Sequence, residues 1–288
     1  MTTVVVQNCS NVGFPAVKAL LAAGCKVRTQ SRDPEKLKAS RLSGLEVEVF
    51  TTGDDAIFDG ADRFICIAPA PQVADDRIRL AVEFMQKAQA AGIKHGSVLS
   101  VALVDEGNVR GLFGRQFNEI EEAAKALDGV STSFVRAPFF MGNLFGAVAT
   151  IKSHDTFYDA VDADVKQLLV HADDVGEALS KAALDTATAG KAYFAFGANI
   201  SKGEIATLLS EKLGRKISFV KASDDDARKA MAGFGLPAWS IEGCLELNYL
   251  GVSQDFVDAH KGEYEELVGR PALTAAEFIE KILSPALN

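Results

Sequence analysis

The run Val4-Val5-Val6 is followed by Gln7-Asn8-Cys9-Ser10-Asn11-Val12-Gly13, then by apolar residues at helical spacing, Val17, Leu20 and Leu21. An apolar strand, a turn and a helix form the setting in which glycines spaced G-x-G-x-x-G let backbone N–H groups cradle a pyrophosphate. Only the last of those positions, Gly13, is a glycine here; counting back puts Ser10 at the second and Gln7 at the first. The retained glycine allows the helix close to the strand, while the two phosphate-facing positions carry polar side chains. Pro15 lacks an N–H and is harmless only within a first helical turn, so the helix should begin near Asn11 or Val12. Its start offers free N–H groups and the positive end of a dipole, to which Asn8, Ser10 and Asn11 add side-chain hydrogen bonds. The same residues would serve equally well as a polar turn that caps a helix.

Arg32 falls just past the second strand-like stretch, where the adenosine ribose of a bound nucleotide would lie. Thr29, Gln30 and Ser31 supply no acid of the kind that favours NAD. Instead Lys26, Arg28, Arg32, Lys36, Lys38 and Arg41 stand against Asp33 and Glu35. A local positive region on an acidic chain suits a 2′-phosphate, which arginine grips bidentately; a solvated helix face is the blander use of such a run. The four cysteines, Cys9, Cys25, Cys66 and Cys244, form no C-x-x-C and have no histidine at metal spacing. That points to a reducing compartment, the cytoplasm, and to no structural metal. A thiol near a helix start can be reactive, but Cys9 beside a buried strand reads as an inert small side chain.

These residues need a scaffold, and the chain supplies alternating strands and helices. Strand-like stretches begin at Lys26, Leu45, Arg63, Gly96 and Thr132, and helical patterns run from Asp75 to Gly92 and from Asn118 to Gly129. Such alternation means crossovers, a parallel sheet and helices on both of its faces. A further strand and helix follow at 168–184, where Asp174 and Glu177 are spaced as a capping pair. Beyond them lie short strands and helices opened by capping boxes, Ser201 with Glu204 and Thr274 with Glu277. The expected fold is therefore α/β, a doubly wound parallel sheet with a smaller α+β C-terminal lobe. At 288 residues with 48% hydrophobic and 24% charged side chains the composition is that of a well-cored soluble protein. A net charge of -9 and a pI near 5.1 argue against nucleic acid, which needs a clustered basic face. MTTVVVQN lacks the basic start of a signal peptide, and the run from Phe139 is too short and too polar at Asn143 to cross a membrane.

The opening strand–turn–helix with VRTQSRDPEKL, the segment STSFVRAPFFMGNL at Ser131–Leu144, and YFAFGANISKGEIATLLSEKLGRKISFV with GRPALTAAEFI near the end resemble the NmrA-like family of atypical short-chain dehydrogenases/reductases, in its quinone-reductase-like branch. The resemblance implies a Rossmann-type lobe of residues 1–137 and 168–187, a substrate or partner lobe of 138–167 and 188–288, and NADP(H) in the cleft between them. It places the phosphate turn at Gln7–Gly13, with Asn8, Ser10, Asn11 and Val12 inside it, and the 2′-phosphate contact at Arg32. It adds Ala68 and Pro69 after the fourth strand, Ser100 and Ala102 at the end of the fifth, and Pro138 and Phe139 on the nicotinamide side. Phe140 and Asn143 fall to the substrate, as does Asn118, which stands where some relatives carry a lysine.

Short-chain dehydrogenases protonate the alkoxide left by hydride addition with a tyrosine whose pKa is lowered by a lysine four residues on. Here Tyr158, Tyr193, Tyr249 and Tyr264 are followed at that spacing by Asp162, Gly197, Ser253 and Val268. With no such pair, the expected activity is hydride transfer to quinone-type conjugated carbonyls, whose reduced form is a stabilised phenolate that water protonates. Two alternatives stay open: a redox-sensing regulator that binds NADP(H) and a partner protein, and a fold whose site no longer binds dinucleotide.

Overall fold

The computed structural model describes residues 1–105, 108–250 and 253–287. Its first strand shows why a continuous valine run belongs here. In β1 (Thr3–Val6) all three valines are fully buried, Val4 and Val6 under one layer of helices and Val5 under the other. Burying a valine on this scale stabilises by roughly 1.5–3 kcal/mol, and only a strand covered on both faces buries three in succession.

The chain continues through α1 (Gly13–Ala22), β2 (Lys26–Ser31), α2 (Pro34–Ala39), β3 (Val47–Thr51), β4 (Arg63–Cys66), α3 (Asp76–Ala90) and β5 (His95–Val101). A short antiparallel pair, β6 (Val104–Asp105) and β7 (Asn108–Val109), precedes α4 (Gly111–Lys125) and β8 (Ser131–Ala137). Then come β9 (Phe139–Phe140), α5 (Val148–His154), β10 (Thr156–Asp159), β11 (Lys166–Val170), α6 (Ala172–Leu184) and β12 (Ala192–Phe194). The chain goes on through β13 (Ala198–Ser201), α7 (Lys202–Leu213), β14 (Ser218–Lys221), α8 (Asp224–Gly233), α9 (Ala238–Leu247), α10 (Gln254–His260), α11 (Glu263–Val268) and a helical stretch over 275–287.

The main sheet has seven strands in the order β12-β8-β5-β4-β1-β2-β3, each pair parallel. Its order reverses between β1 and β4, the switch point at which doubly wound sheets open a crevice beyond their strand ends. Helices α1 and α6 share a core with the Val4 face, and α3 and α4 with the Val5 face. The doubly wound α/β fold is as expected. At its margins the division differs from the expected one: residues 192–194 supply the edge strand of the main sheet, while β11 stays out of it, pairing with β9 and β13. These strands, β10 with β14, α5, α7 and the 275–287 stretch surround a separate core built on Met141, Phe157, Leu209 and Phe278.

Both expected capping boxes form, at Ser201 and at Thr274. The pair Asp174 and Glu177 is not a third one. Helix α6 begins without a side-chain cap, and the buried Asp174 carboxylate instead accepts from Tyr264 Oη, Arg270 Nη2 and the Leu273 N–H. A first-turn acid was thus recruited by the C-terminal segment.

Candidate active site

The turn after β1 is held by its own side chains. Asn8 Nδ2 donates to the Ile67 carbonyl at 2.6 Å, and its Oδ1 accepts from the Ser10 N–H at 3.1 Å. Phe14 N–H then makes the first helical bond, to Ser10 O at 3.0 Å, so α1 starts within two residues of the place Pro15 requires. Gly13 is irreplaceable on steric grounds: a Cβ there would lie 1.9 Å from the Asn8 carbonyl oxygen. Gln7, expected to face phosphate, does not. Its side chain is turned inward, donating to Leu80 O at 3.0 Å and accepting from Cys66 Sγ at 3.3 Å. Ser10 and Asn11 remain exposed at the helix start, beside N–H groups that have no acceptor within the helix. Val12 is buried beneath them.

One arginine reaches this turn, and another lies just past the neighbouring strand. Arg32 is exposed just beyond the end of β2 and, among the described residues, makes no ion pair. Arg41, nine places on, reaches back across α2: its Nη1 donates to Cys9 O at 3.1 Å, with the guanidinium 5.7 Å from the Phe14 ring centroid. In the sequence Arg41 is only one member of a charge run, because its approach to the turn depends on how the chain folds back after α2. Arg28, from the same run, is structural, bonded to Glu48 and to the Ile57 and Asp59 carbonyls. Burial pushes the Cys9 thiol up to about 11, with Arg41 opposing; it stays protonated and unreactive at neutral pH.

Further along the strand ends, Ser100 Oγ donates to Glu121 Oε1 at 2.6 Å, and Arg136 donates to both Glu121 oxygens at 3.0 and 2.8 Å. Glu121 is fully buried and Arg136 nearly so, a network of side chains that holds Ser100 where β5 ends. Ser100 also lines a cavity of about 260 Å³. Six expected residues meet in its lining: Ser100, Ala102, Pro138, Phe139, Phe140 and Asn143. Phe113 and Phe117 of α4, Arg77 of α3 and Leu247 and Leu250 complete much of the rest. The phosphate turn, Arg32, Ala68, Pro69 and Asn118 lie outside that lining. Asn118 is half-buried, one residue past Phe117 and so turned to another side of α4. Pro69 abuts the site indirectly, its carbonyl accepting from Arg77 Nε at 3.2 Å.

None of the four tyrosines lines the cavity. Tyr158 and Tyr249 are exposed, while Tyr193 and Tyr264 are buried elsewhere, burial raising the pKa of both. Sequence reading passed over Arg77, although a signal was present. It stands in phase with Ala81, Phe84, Met85 and Ala88, the buried stripe of α3, where a cation is out of place.

A sequence profile of the NmrA-like family matches residues 2–248. The chain is 32% identical to the (4-alkanoyl-5-oxo-2,5-dihydrofuran-3-yl)methyl phosphate reductase of Streptomyces griseus, over 89% of each chain. An NADPH-dependent quinone oxidoreductase of Escherichia coli, crystallised with NADPH, superposes with a TM-score of 0.77 at 19% identity, covering 98% of this chain and all of the other. NmrA, a negative transcriptional regulator solved with NAD, gives 0.74 at 18% identity over 99% and 96% of the two chains.

Proposed function

The chain belongs to the NmrA-like family, and from that premise we propose that it is a nicotinamide-dinucleotide-dependent reductase of quinone-type conjugated carbonyls, with NADP(H) as its preferred cofactor. The observation that carries this reading is the cavity, which joins the ends of β5 and β8 to the aromatic pair Phe113 and Phe117 and to Phe139 and Phe140 without any tyrosine. Its walls suit a flat conjugated ring.

The residues present fit the cofactor. Exposed Ser10 and Asn11, with the start of α1, would hold the pyrophosphate, and Asn8 and Gly13 shape that turn. Arg32, unpaired among the described residues and beyond β2, would take the 2′-phosphate, and Arg41 reaches the phosphate turn at the Cys9 carbonyl. Ala68, Pro69, Ser100 and Ala102 border the path along the strand ends, and Pro138 and Phe139 the nicotinamide end. When bound, the nicotinamide supplies a hydride to the substrate, so that quinone, NADPH and one proton give hydroquinone and NADP+. The chain's own contribution is orientation and exclusion of water: Glu121, itself held by Arg136, fixes Ser100, and the aromatic walls hold the acceptor ring. The cavity offers no tyrosine acid, so an acceptor whose reduced form is already a stabilised anion is favoured over a plain ketone.

Absorbance at the reduced nicotinamide band tests this. Purified protein should oxidise NADPH with menadione and leave cyclohexanone untouched; rapid reduction of cyclohexanone would sink the substrate assignment. A second reading is favoured by the likeness to the NAD-bound regulator: a dinucleotide-binding sensor. Tight NADPH binding without turnover of any quinone would support that instead.

A further inference from the structure

Arg77 is the anomaly of the cavity wall. It is only 7% exposed, yet its guanidinium rests on neutral oxygens alone, Nε donating to Pro69 O and Nη1 to Gln116 Oε1, each at 3.2 Å. Gln116 is itself pinned, its amide donating to the Ala74 carbonyl. Three aromatic rings crowd the guanidinium, those of Trp239, Phe113 and Phe117, with centroids 4.7, 5.0 and 5.3 Å away. No carboxylate is paired with it among the described residues. Burial draws its pKa down to about 10, which still leaves a full positive charge at neutral pH.

A buried cation without a counter-ion is costly unless something repays the loss of water. Aromatic faces repay part of it. The buried pair behind Ser100 shows the usual arrangement: Arg136 has Glu121, whereas Arg77 has no acid among the described residues. Arg77 lines the same space as the apolar walls that would grip a conjugated ring. Resting on the reductase reading of this cavity, we propose that Arg77 is its anion receptor, and that the substrate is a conjugated ring compound carrying an acidic oxyanion substituent. The ring packs on Phe113, Phe117 and Phe139 while the oxyanion accepts from Arg77. This adds specificity to a cavity whose apolar walls alone would accept any flat ring of suitable size. Lys166 is the other cation in the lining, but it is 55% exposed and already 3.4 Å from Glu204 Oε1.

Calorimetric titration of the full chain with naphthalene-2-sulfonate and with naphthalene-2-sulfonamide, which differ in charge on one scaffold, tests this without requiring turnover. The wild type should bind the sulfonate at least tenfold tighter. Arg77→Gln should bring the ratio close to one while keeping the sulfonamide affinity, Arg77→Lys should retain part of the preference, and Lys166→Gln should retain all of it. Should Arg77→Gln fail to fold by circular dichroism, the wild-type ratio together with Arg77→Lys and Lys166→Gln decides the matter. Equal affinities in the wild type would overturn the proposal and leave Arg77 a structural staple between α3, α4 and α9. So would a preference removed by Lys166→Gln. A paired assay of NADPH oxidation with 1,2-naphthoquinone and its 4-sulfonate separates the two readings. Sulfonate preference without any quinone turnover sinks the reductase and spares the anion site; turnover with no preference in binding or KM does the reverse.

Discussion

At the scale of single residues, the turn after β1 shows how a dinucleotide fingerprint can lose two glycines and keep its shape. Gly13 persists because the Asn8 carbonyl occupies the place of any side chain, so Gly13→Ala must push α1 off the strand. The first glycine gave way to Gln7, whose amide is spent inside the protein on Leu80 and Cys66. Gln7→Gly should therefore cost about 2–4 kcal/mol, from lost buried hydrogen bonds and an unfilled space. Ser10→Gly, at an exposed position, should change Tm little. Chemical unfolding of both variants checks the contrast, and equal losses would contradict the inward placement of Gln7. Polarity at both positions was legible in sequence; which of them faces inward was not, because that depends on Leu80, seventy-three residues away. Arg32 carries the cofactor prediction. NADPH should bind more tightly than NADH, and Arg32→Ala should remove about 1.5–3 kcal/mol of NADPH affinity, roughly ten- to a hundredfold, with little effect on NADH. Fluorescence titration of both nucleotides decides it: a preference that survives Arg32→Ala would move the role to Arg41, and equal affinities in the wild type would abolish it.

At the scale of elements, the strand ends and helix caps differ in how openly the sequence declares them. The strands were readable from apolar runs, and the two capping boxes from Ser or Thr followed three residues later by Glu, since each is a local pattern. Glu121 and Arg136 were not readable as a pair. They sit on α4 and β8, and nothing in their spacing reveals that one carboxylate accepts from Ser100 and from both nitrogens of a fork. Glu121→Ala would strand a buried guanidinium and should destabilise by about 3–5 kcal/mol, a loss that urea unfolding would register; a change within error would mean that water reaches Arg136. The Thr274 cap makes a pH prediction. Glu277 is held down to about 2 by Lys281 first and then by the Thr274 N–H. Its ionised form therefore favours the folded state, fully so above its ordinary value of 4.5, and this support is lost as pH falls through 2. The Tm gap between wild type and Glu277→Gln should accordingly close as pH is lowered from 6 towards 2. A gap that stays constant would remove Glu277 from the cap.

At the scale of the whole molecule, the doubly wound sheet followed from alternation alone, whereas the joining of its margins to the later elements had no local signature. Short strands such as β9 and β12, of two and three residues, find partners through tertiary packing rather than through pattern. Asp174 is the clearest case. Read in sequence it is a helix-capping acid; in the fold its buried carboxylate gathers Tyr264 Oη at 3.1 Å, Arg270 Nη2 at 2.8 Å and the Leu273 N–H at 2.9 Å. It thereby ties the segment 264–273, which lies beyond the span of the family profile, to a helix of the main sheet's α1 side. Two close approaches tighten the same region: a Cβ at Gly176 would lie 2.6 Å from Ala16 N, and one at Gly197 would lie 2.0 Å from Leu273 O. Asp174→Ala should then cost about 2–5 kcal/mol, and its effect should be regional before it is global. Hydrogen exchange should quicken across 262–274 while the strands around β1 keep their protection, because Val4 and Val6 are also covered by Ala16, Val17 and Leu20 of α1. The 275–287 stretch, packed through Phe278 and Leu283 into its own core, should hold longer than the segment before it. Unaltered exchange at 262–274 would show that aromatic and apolar packing, with Tyr264 and Val268 in the main core, suffices to dock the C-terminal segment without the carboxylate.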